Sequence, residues 1–327
     1  MMEKATHNIV NLFLGAAAQY PQQIAIVDID RSINYADLEK EVKRTAAYFY
    51  KQGIRKGGRV LVFVPMGIDL YRIVLALFYI GATAVFLDEW VSKKRLAICC
   101  QLADCKGFIG IFKARVFALF SKELRRIPIH LKLKKQKNTS IEIVPVTPQS
   151  SALITFTTGS TGVPKAADRT HGFLQEQFNA LLDEIDPKIS DVDMPALPIV
   201  LFVNLGIGCT SVIADFKMTK PSTFNASKIA NQIKKNKVTR ITASPFFIKK
   251  LAEHAIENKE VFHKIEKVFT GGAPVFPDEA VLYTQAFPES SVKIVYGSTE
   301  AEPISAISTE HLVNRTNELD SGLPVGQ

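Results

Sequence analysis

The sequence predicts an α/β protein built as two parallel-sheet subdomains with flanking helices. Three observations carry that reading. Strand-length apolar runs alternate with segments of helical length along most of the 327 residues, as expected for strands covered on both faces by crossover helices. A charge-rich stretch from about 113 to 149 interrupts the alternation, which resumes at Ser151; subdomains are therefore expected at 1–150 and 151–327. Three polar, glycine-containing segments follow strand ends at Phe156, Thr270 and Val295, and open α/β sheets place ligands outside the carboxyl ends of their strands.

The elements follow in order. Ile9 to Ala18 reads as an amphipathic first helix, because Asn11 and the run into Gln19-Tyr20-Pro21 do not suit a signal peptide. Ile24–Val27 is a strand, and Tyr35–Gln52 a helix with Asn34 as candidate cap and Gly53 as stop. Val60–Val64, Ala84–Leu87 and Gly107–Ile111 are strands, separated by helices at Asp69–Tyr79 and Ser92–Ala103. In the second half, Val238–Thr242, Ile265–Phe269 and Val292–Val295 are strands, with helices at Pro245–Glu257 and Pro277–Gln285 between them. Ile73–Leu87 is too short to span a bilayer. Met194–Ala214 is broken by Pro195, Pro198, Asn204, Gly206 and Gly208, and reads as buried strand, turn and helix. No transmembrane segment is expected.

A 47% apolar and 22% charged composition is that of an ordinary globular chain. The net charge of +8 includes Lys132, Lys134, Lys135 and Lys137 in one cluster and Lys234, Lys235 and Lys237 in another. Clusters of this kind read either as a nucleic-acid patch or as a solvated loop and a helix C-terminus. With no interleaved aromatics we favour the second reading and expect no nucleic-acid partner. Cys99, Cys100, Cys105 and Cys209 show neither a disulfide framework nor metal-ligand spacing, which suits small buried thiols in a cytoplasmic protein.

The most informative segment is Thr155-Phe-Thr-Thr-Gly-Ser-Thr-Gly-Val-Pro-Lys165, behind the apolar run Ala152-Leu153-Ile154. Glycines let the backbone approach a ligand, successive N–H groups form an anion nest, and hydroxyls and a lysine add donors suited to phosphate. It is not the P-loop of NTPases, whose glycines and lysine stand at other spacings. The competing reading is a polar surface turn. Downstream stand Gly271-Gly272-Ala273-Pro274, Tyr296-Gly297-Ser298-Thr299-Glu300 and Gly322-Leu323-Pro324-Val325-Gly326.

In this order, these motifs closely resemble those of the adenylate-forming superfamily, which holds acyl-CoA synthetases, peptide-synthetase adenylation domains and luciferase. The resemblance runs from about Val10 to Gln327. It implies the N-terminal part of such an enzyme, ending before the ribose-binding motif, hinge and C-terminal lid, so that the chain alone would bind nucleotide weakly and turn over poorly. It implies an AMP-forming acid–thiol ligase using ATP, Mg²⁺ and, as acceptor, CoA. Thr157, Thr158, Gly159, Ser160, Thr161, Gly162 and Lys165 would hold the β- and γ-phosphates. Gly272, Ala273 and Pro274 would wall the adenine, with Tyr296 stacking on it beside Gly297 and Ser298. Thr299 would contact the α-phosphate and Glu300 would bind the metal, making Lys165, Thr299 and Glu300 the catalytic set.

The same residues have plainer readings: Tyr296 as core packing, Glu300 and Glu302 as the start of a helix, and His171 as a structural residue opening the helix after the loop. The acyl pocket is expected around 194–214. Leu197-Pro-Ile-Val-Leu-Phe202-Val-Asn204 offers no charge for an amino acid's amine, so an aliphatic acid is favoured. The resemblance is strongest to fatty-acyl ligases and the β-lactone synthetases of olefin biosynthesis. A nucleotide- or acyl-binding module without independent catalysis is the alternative from another class.

Overall fold

We describe a computed structural model of the chain, covering residues 7–87, 93–133, 141–158, 164–216, 221–298, 301–314 and 322–326. In chain order it forms α1 (Val10–Gln19), β1 (Ile24–Asp28), β2 (Arg31–Asn34), α2 (Tyr35–Lys51), β3 (Arg59–Phe63), α3 (Ile68–Tyr79), β4 (Thr83–Phe86), α4 (Lys93–Ala103) and β5 (Gly107–Gly110). Then come α5 (Phe112–Phe120), α6 (Lys122–Arg125), β6 (Ile129–Leu131), β7 (Ser151–Thr158), β8 (Pro164–Thr170), α7 (His171–Ile185), β9 (Val192–Pro195), α8 (Pro198–Ile207) and β10 (Thr210–Val212). The chain continues through α9 (Ala226–Asn236), β11 (Arg240–Ala243), α10 (Pro245–Glu257), β12 (Lys267–Gly271), α11 (Pro277–Ala286), β13 (Ser291–Ser298), β14 (Ala301–Ser308) and α12 (Thr309–Asn314).

Two mostly parallel sheets result. One has the order β6-β5-β3-β4-β7-β8 and the other β14-β13-β12-β11-β9-β10-β1-β2. The predicted fold class is therefore the observed one. In the first unit α3 is buried along nearly its whole length, and apart from the Asp69–Arg72 ion pair its sequence is apolar on all sides. The core of the second unit gathers Met194, Ile229, Ile241, Phe247, Leu251, Val268 and Tyr283.

The division of the chain differs from the expected 150/151. One compact unit comprises residues 1–21 and 35–176, the other 22–34 and 177–327. Strand pairing is the cause. β7 lies parallel to β4, with Val85 opposite Ile154 and Phe86 opposite Thr155, so the second-half strand joins the first sheet. Conversely, β1 pairs in parallel with β10, Ile26 opposite Ser211, and takes residues 22–34 into the second unit. The stretch 113–149, read as a break, contains α5, α6 and β6.

His171 anchors the first unit. It is fully buried, its Nδ1 accepts the Ile9 N–H at 3.1 Å, and its ring meets Phe78 edge-on. Beside it Asn8 donates to the Phe78 carbonyl at 2.6 Å, so the start of α1 is held from two sides. The structural reading of His171 is the one these contacts support. Burial lowers its pKa to about 4. An unfolded chain takes up this proton near pH 6.5, whereas the folded one refuses it until about pH 4, so stability is lost as pH falls through that window. The loss at this group is roughly 3 kcal/mol. His171→Asn keeps an acceptor for Ile9 but cannot titrate, so urea unfolding at several pH values should give it a correspondingly flatter profile between those limits. Identical profiles for the two proteins would show that another group governs this window.

Candidate functional site

In the first unit the phosphate-type segment is not a strand-to-helix turn. β7 runs on to Thr158 and returns antiparallel as β8, with Thr157 opposite Lys165 and Thr158 opposite Pro164. Ser151 Oγ closes the base of this hairpin by donating to Asp168 Oδ1 at 2.6 Å. Lys165 is exposed on the edge strand. Gly159, Ser160, Thr161 and Gly162 lie outside the described residues, as do the side chains of Thr157 and Thr158. β8 escaped the sequence reading because Pro164-Lys-Ala-Ala-Asp-Arg-Thr170 has no apolar alternation; an edge strand needs none and tolerates proline.

The second unit brings two predicted segments together. β12 and β13 are parallel neighbours with Gly271 opposite Val295, so the chain turns out of β12 at Gly271–Pro274 next to the point where β13 runs on through Tyr296–Ser298. Gly272, Ala273 and Pro274 form an exposed arch between two buried anchors, Gly271 and Val275. The two glycines serve different needs. A Cβ on Gly271 would stand 2.4 Å from the Val295 carbonyl oxygen, so β12 and β13 approach too closely for any side chain there. Gly272 has open space but φ +85°, the left-handed region that favours glycine. The arch is steadied by α11, where Glu279 accepts the Phe276 N–H at 3.3 Å and pairs with Lys249 at 3.0 Å.

Tyr296 is 47% exposed, so the core-packing reading does not hold: it stands one residue beyond Val295, the partner of Gly271. β13 continues through Ser298 and pairs antiparallel with β14, with Ser298 opposite Ala301. The register shifts between Tyr296 and Ser298, and Gly297 sits at that irregularity. Thr299 and Glu300 lie outside the described residues. Glu302, read as the start of a helix, belongs to strand β14 instead.

A cradle lacking side-chain bulk, next to an accessible aromatic ring, suits a flat base such as adenine. The buried hydroxyls of Thr155 in β7 and Thr270 in β12 reach no hydrogen-bond partner among the described residues, and unpaired buried donors near ligand loops suit a polar ligand. No cluster of three metal-binding side chains occurs among the described residues.

One feature of the second unit was not foreseen. Arg240, Asp193 and Ser211 stand opposite one another across β11, β9 and β10. The Arg240 guanidinium meets Asp191 Oδ2 at 2.5 Å, Asn204 Oδ1 at 2.5 Å and Asp193 Oδ1 at 3.4 Å. Asn204 donates from Nδ2 to Asp193 Oδ2 at 2.8 Å and to Ser211 Oγ at 3.0 Å. Burial pushes the Asp193 carboxyl above the ordinary carboxylate range, and Arg240 and Asn204 pull it back. The network ties α8 to three strands, and Arg240 opens β11, at the end of the sheet away from the arch. Its role is therefore to position α8. A charge inside each of two apolar strands, at Val192-Asp193-Met194 and Thr239-Arg240-Ile241, was the available signal.

The cysteines are structural. Burial pushes the Cys105 and Cys209 thiols up to about 12 and Cys100 to about 11, which leaves them protonated. Lys234 and Lys235 occupy the last turn of α9, as expected of a solvated helix end. No helix among the described residues is long and apolar enough to cross a membrane.

A family model described as AMP-binding enzyme matches residues 13–326. The chain belongs to the AMP-binding enzyme family. Among relatives of this AMP-binding chain are olefin β-lactone synthetases from Xanthomonas campestris pv. campestris (28% identical, covering 95% of this chain and 60% of the relative) and Stenotrophomonas maltophilia (26%, 95% and 61%). The chain thus spans about three fifths of the length of these relatives. A solved long-chain-fatty-acid–CoA ligase from Archaeoglobus fulgidus superposes with TM-score 0.81 at 20% identity, over 98% of this chain and 68% of the ligase. That likeness establishes a shared fold.

Proposed function

We propose that the chain carries out adenylation: an aliphatic carboxylate attacks the α-phosphorus of ATP, an acyl-adenylate forms, and pyrophosphate leaves with the bonding electron pair. The observation that carries this reading is the exposed Gly271–Pro274 arch at the carboxyl end of β12, next to the strand that bears the half-exposed Tyr296, an arrangement suited to a flat base. Gly272, Ala273 and Pro274 wall the base and Tyr296 stacks on it, next to Gly297 and Ser298. Lys165 and the segment Thr157–Gly162 hold the β- and γ-phosphates, and Thr299 the α-phosphate. Attack on a phosphorus crowded with negative charge needs charge neutralisation and in-line alignment more than a base. Glu300 is the proposed ligand of Mg²⁺, which supplies part of that neutralisation when bound.

The apolar surroundings of α8 support an aliphatic acid as the substrate. Leu181, Ile185, Val200, Val203 and Phe269 form an apolar cluster against which Phe178, Leu197, Ile199 and Val295 pack. The polar group of α8, Asn204, is engaged by Arg240 and Asp193, leaving it ill placed to greet an amine. CoA is the proposed acceptor. The similarity to olefin β-lactone synthetases favours a second reading, in which a 3-hydroxy acid is activated and its own hydroxyl displaces AMP to close a β-lactone.

Carboxylate-dependent ATP–pyrophosphate exchange tests the proposal, with short to long aliphatic acids, 3-hydroxy acids, an aryl acid and amino acids as the panel. Slow exchange dependent on aliphatic acids is expected. AMP release with 3-hydroxy acids in the absence of CoA would select the lactone reading. Exchange with amino acids alone, or with no acid, would refute aliphatic adenylation by this chain.

A further inference from the structure

Helix α5 packs inside out. Phe112, Val116, Leu119 and Phe120 recur at i, i+4, i+7 and i+8, the stripe that normally faces a core, yet all four are exposed. Phe112 at 78%, Leu119 at 65% and Phe120 at 83% are the three most exposed large apolar side chains among the described residues. The helix is held instead by its small face. Ala118 is buried with Phe108 and Leu124, and Ala114 lies so close to β5 that a Cβ on Gly110 would stand 2.9 Å from its own.

Charge decides what this face meets. Lys113 and Arg115 flank the stripe on α5 itself, and Lys122, Arg125 and Arg126 follow in and just after α6, all exposed. The acid of this stretch, Glu123, is engaged by the Ser121 hydroxyl at 2.8 Å. Bulky apolar side chains on the outer ridge of a single helix, bordered by cations, match the boundary between acyl chains and anionic headgroups. We propose that α5 and α6 dock the protein on an anionic lipid surface, with Phe112, Leu119 and Phe120 entering the headgroup layer and the surrounding cations contacting phosphates. The proposal does not depend on the adenylation reading.

Co-sedimentation of the chain with vesicles tests this, using phosphatidylcholine alone and phosphatidylcholine with about 30% phosphatidylglycerol. Binding to the anionic vesicles at least about tenfold above the neutral ones, weakening as salt is raised, is expected. Phe112→Ser with Phe120→Ser, and separately Arg125→Glu with Arg126→Glu, should each lower it about tenfold at unchanged melting temperature. Because these side chains are exposed, the variants should fold. Absence of anionic-vesicle binding, or undiminished binding by the Phe112→Ser/Phe120→Ser variant, overturns the proposal. So does a dimer that the serine variant dissociates while neither protein binds lipid, which would make the face a contact between two copies of the chain.

Discussion

Replacing Arg240 by alanine should lower the unfolding free energy by about 3–5 kcal/mol, because it strands buried carboxylates without their cation. Asp193 is fully buried and Asp191 nearly so, and Asn204 would lose the donor to its carbonyl oxygen. The large value reflects the uncompensated charge left behind and not the net worth of the ion pair. Adding Asp193→Asn to Arg240→Ala should therefore cost less than the sum of the two single changes, with a coupling of roughly 0.5–3 kcal/mol. Chemical denaturation of the four proteins reads both quantities. A loss below about 1 kcal/mol for Arg240→Ala would mean that the network is solvated and does not hold α8.

The second large effect belongs to the arch. Gly271→Ala must move the backbone, since the added Cβ would stand 2.4 Å from the Val295 carbonyl oxygen and no flexible side-chain end can give way. Overpacking of this kind costs about 1–3 kcal/mol. Because Gly272–Pro274 leave the sheet from this residue, affinity for an adenylate should fall at least about tenfold as well. Gly272→Ala makes the informative contrast. It meets open space and suffers only from φ +85°, so its cost should be about 1 kcal/mol with a smaller loss of affinity. Equal affinities for wild type and Gly271→Ala would separate the arch from nucleotide binding.

Local pattern made much of this molecule legible. α10 runs from Pro245 to Glu257 as read, and α2 and α3 differ from their expected ranges by a single residue at an end, because amphipathic periods, prolines and stop glycines are local signals. Long-range pairing was not legible. Nothing within Ala152-Leu153-Ile154 reveals that β7 joins β4, nor anything within Ile24–Val27 that β1 joins β10; hence the expected boundary differs from the two compact units. Two of the three ligand-like segments lead into edge hairpins, β7–β8 and β13–β14. Their return strands went unread because edge strands carry Pro164 and Pro303 and little apolar alternation. At the candidate site the sequence signalled Gly272 and Tyr296 by motif. The tight approach at Gly271 and the burial of Arg240 needed coordinates.

If the arch and its neighbouring segments bind an aliphatic acyl-adenylate, calorimetric titration with analogues in which a sulfamoyl group replaces the phosphate will detect it, since binding does not require turnover. Saturable binding of the aliphatic acyl analogue is expected, at least about tenfold tighter than the aminoacyl analogue or adenosine, and weakened by Tyr296→Ala. Tighter binding of the aminoacyl analogue, or no binding of any, would contradict it.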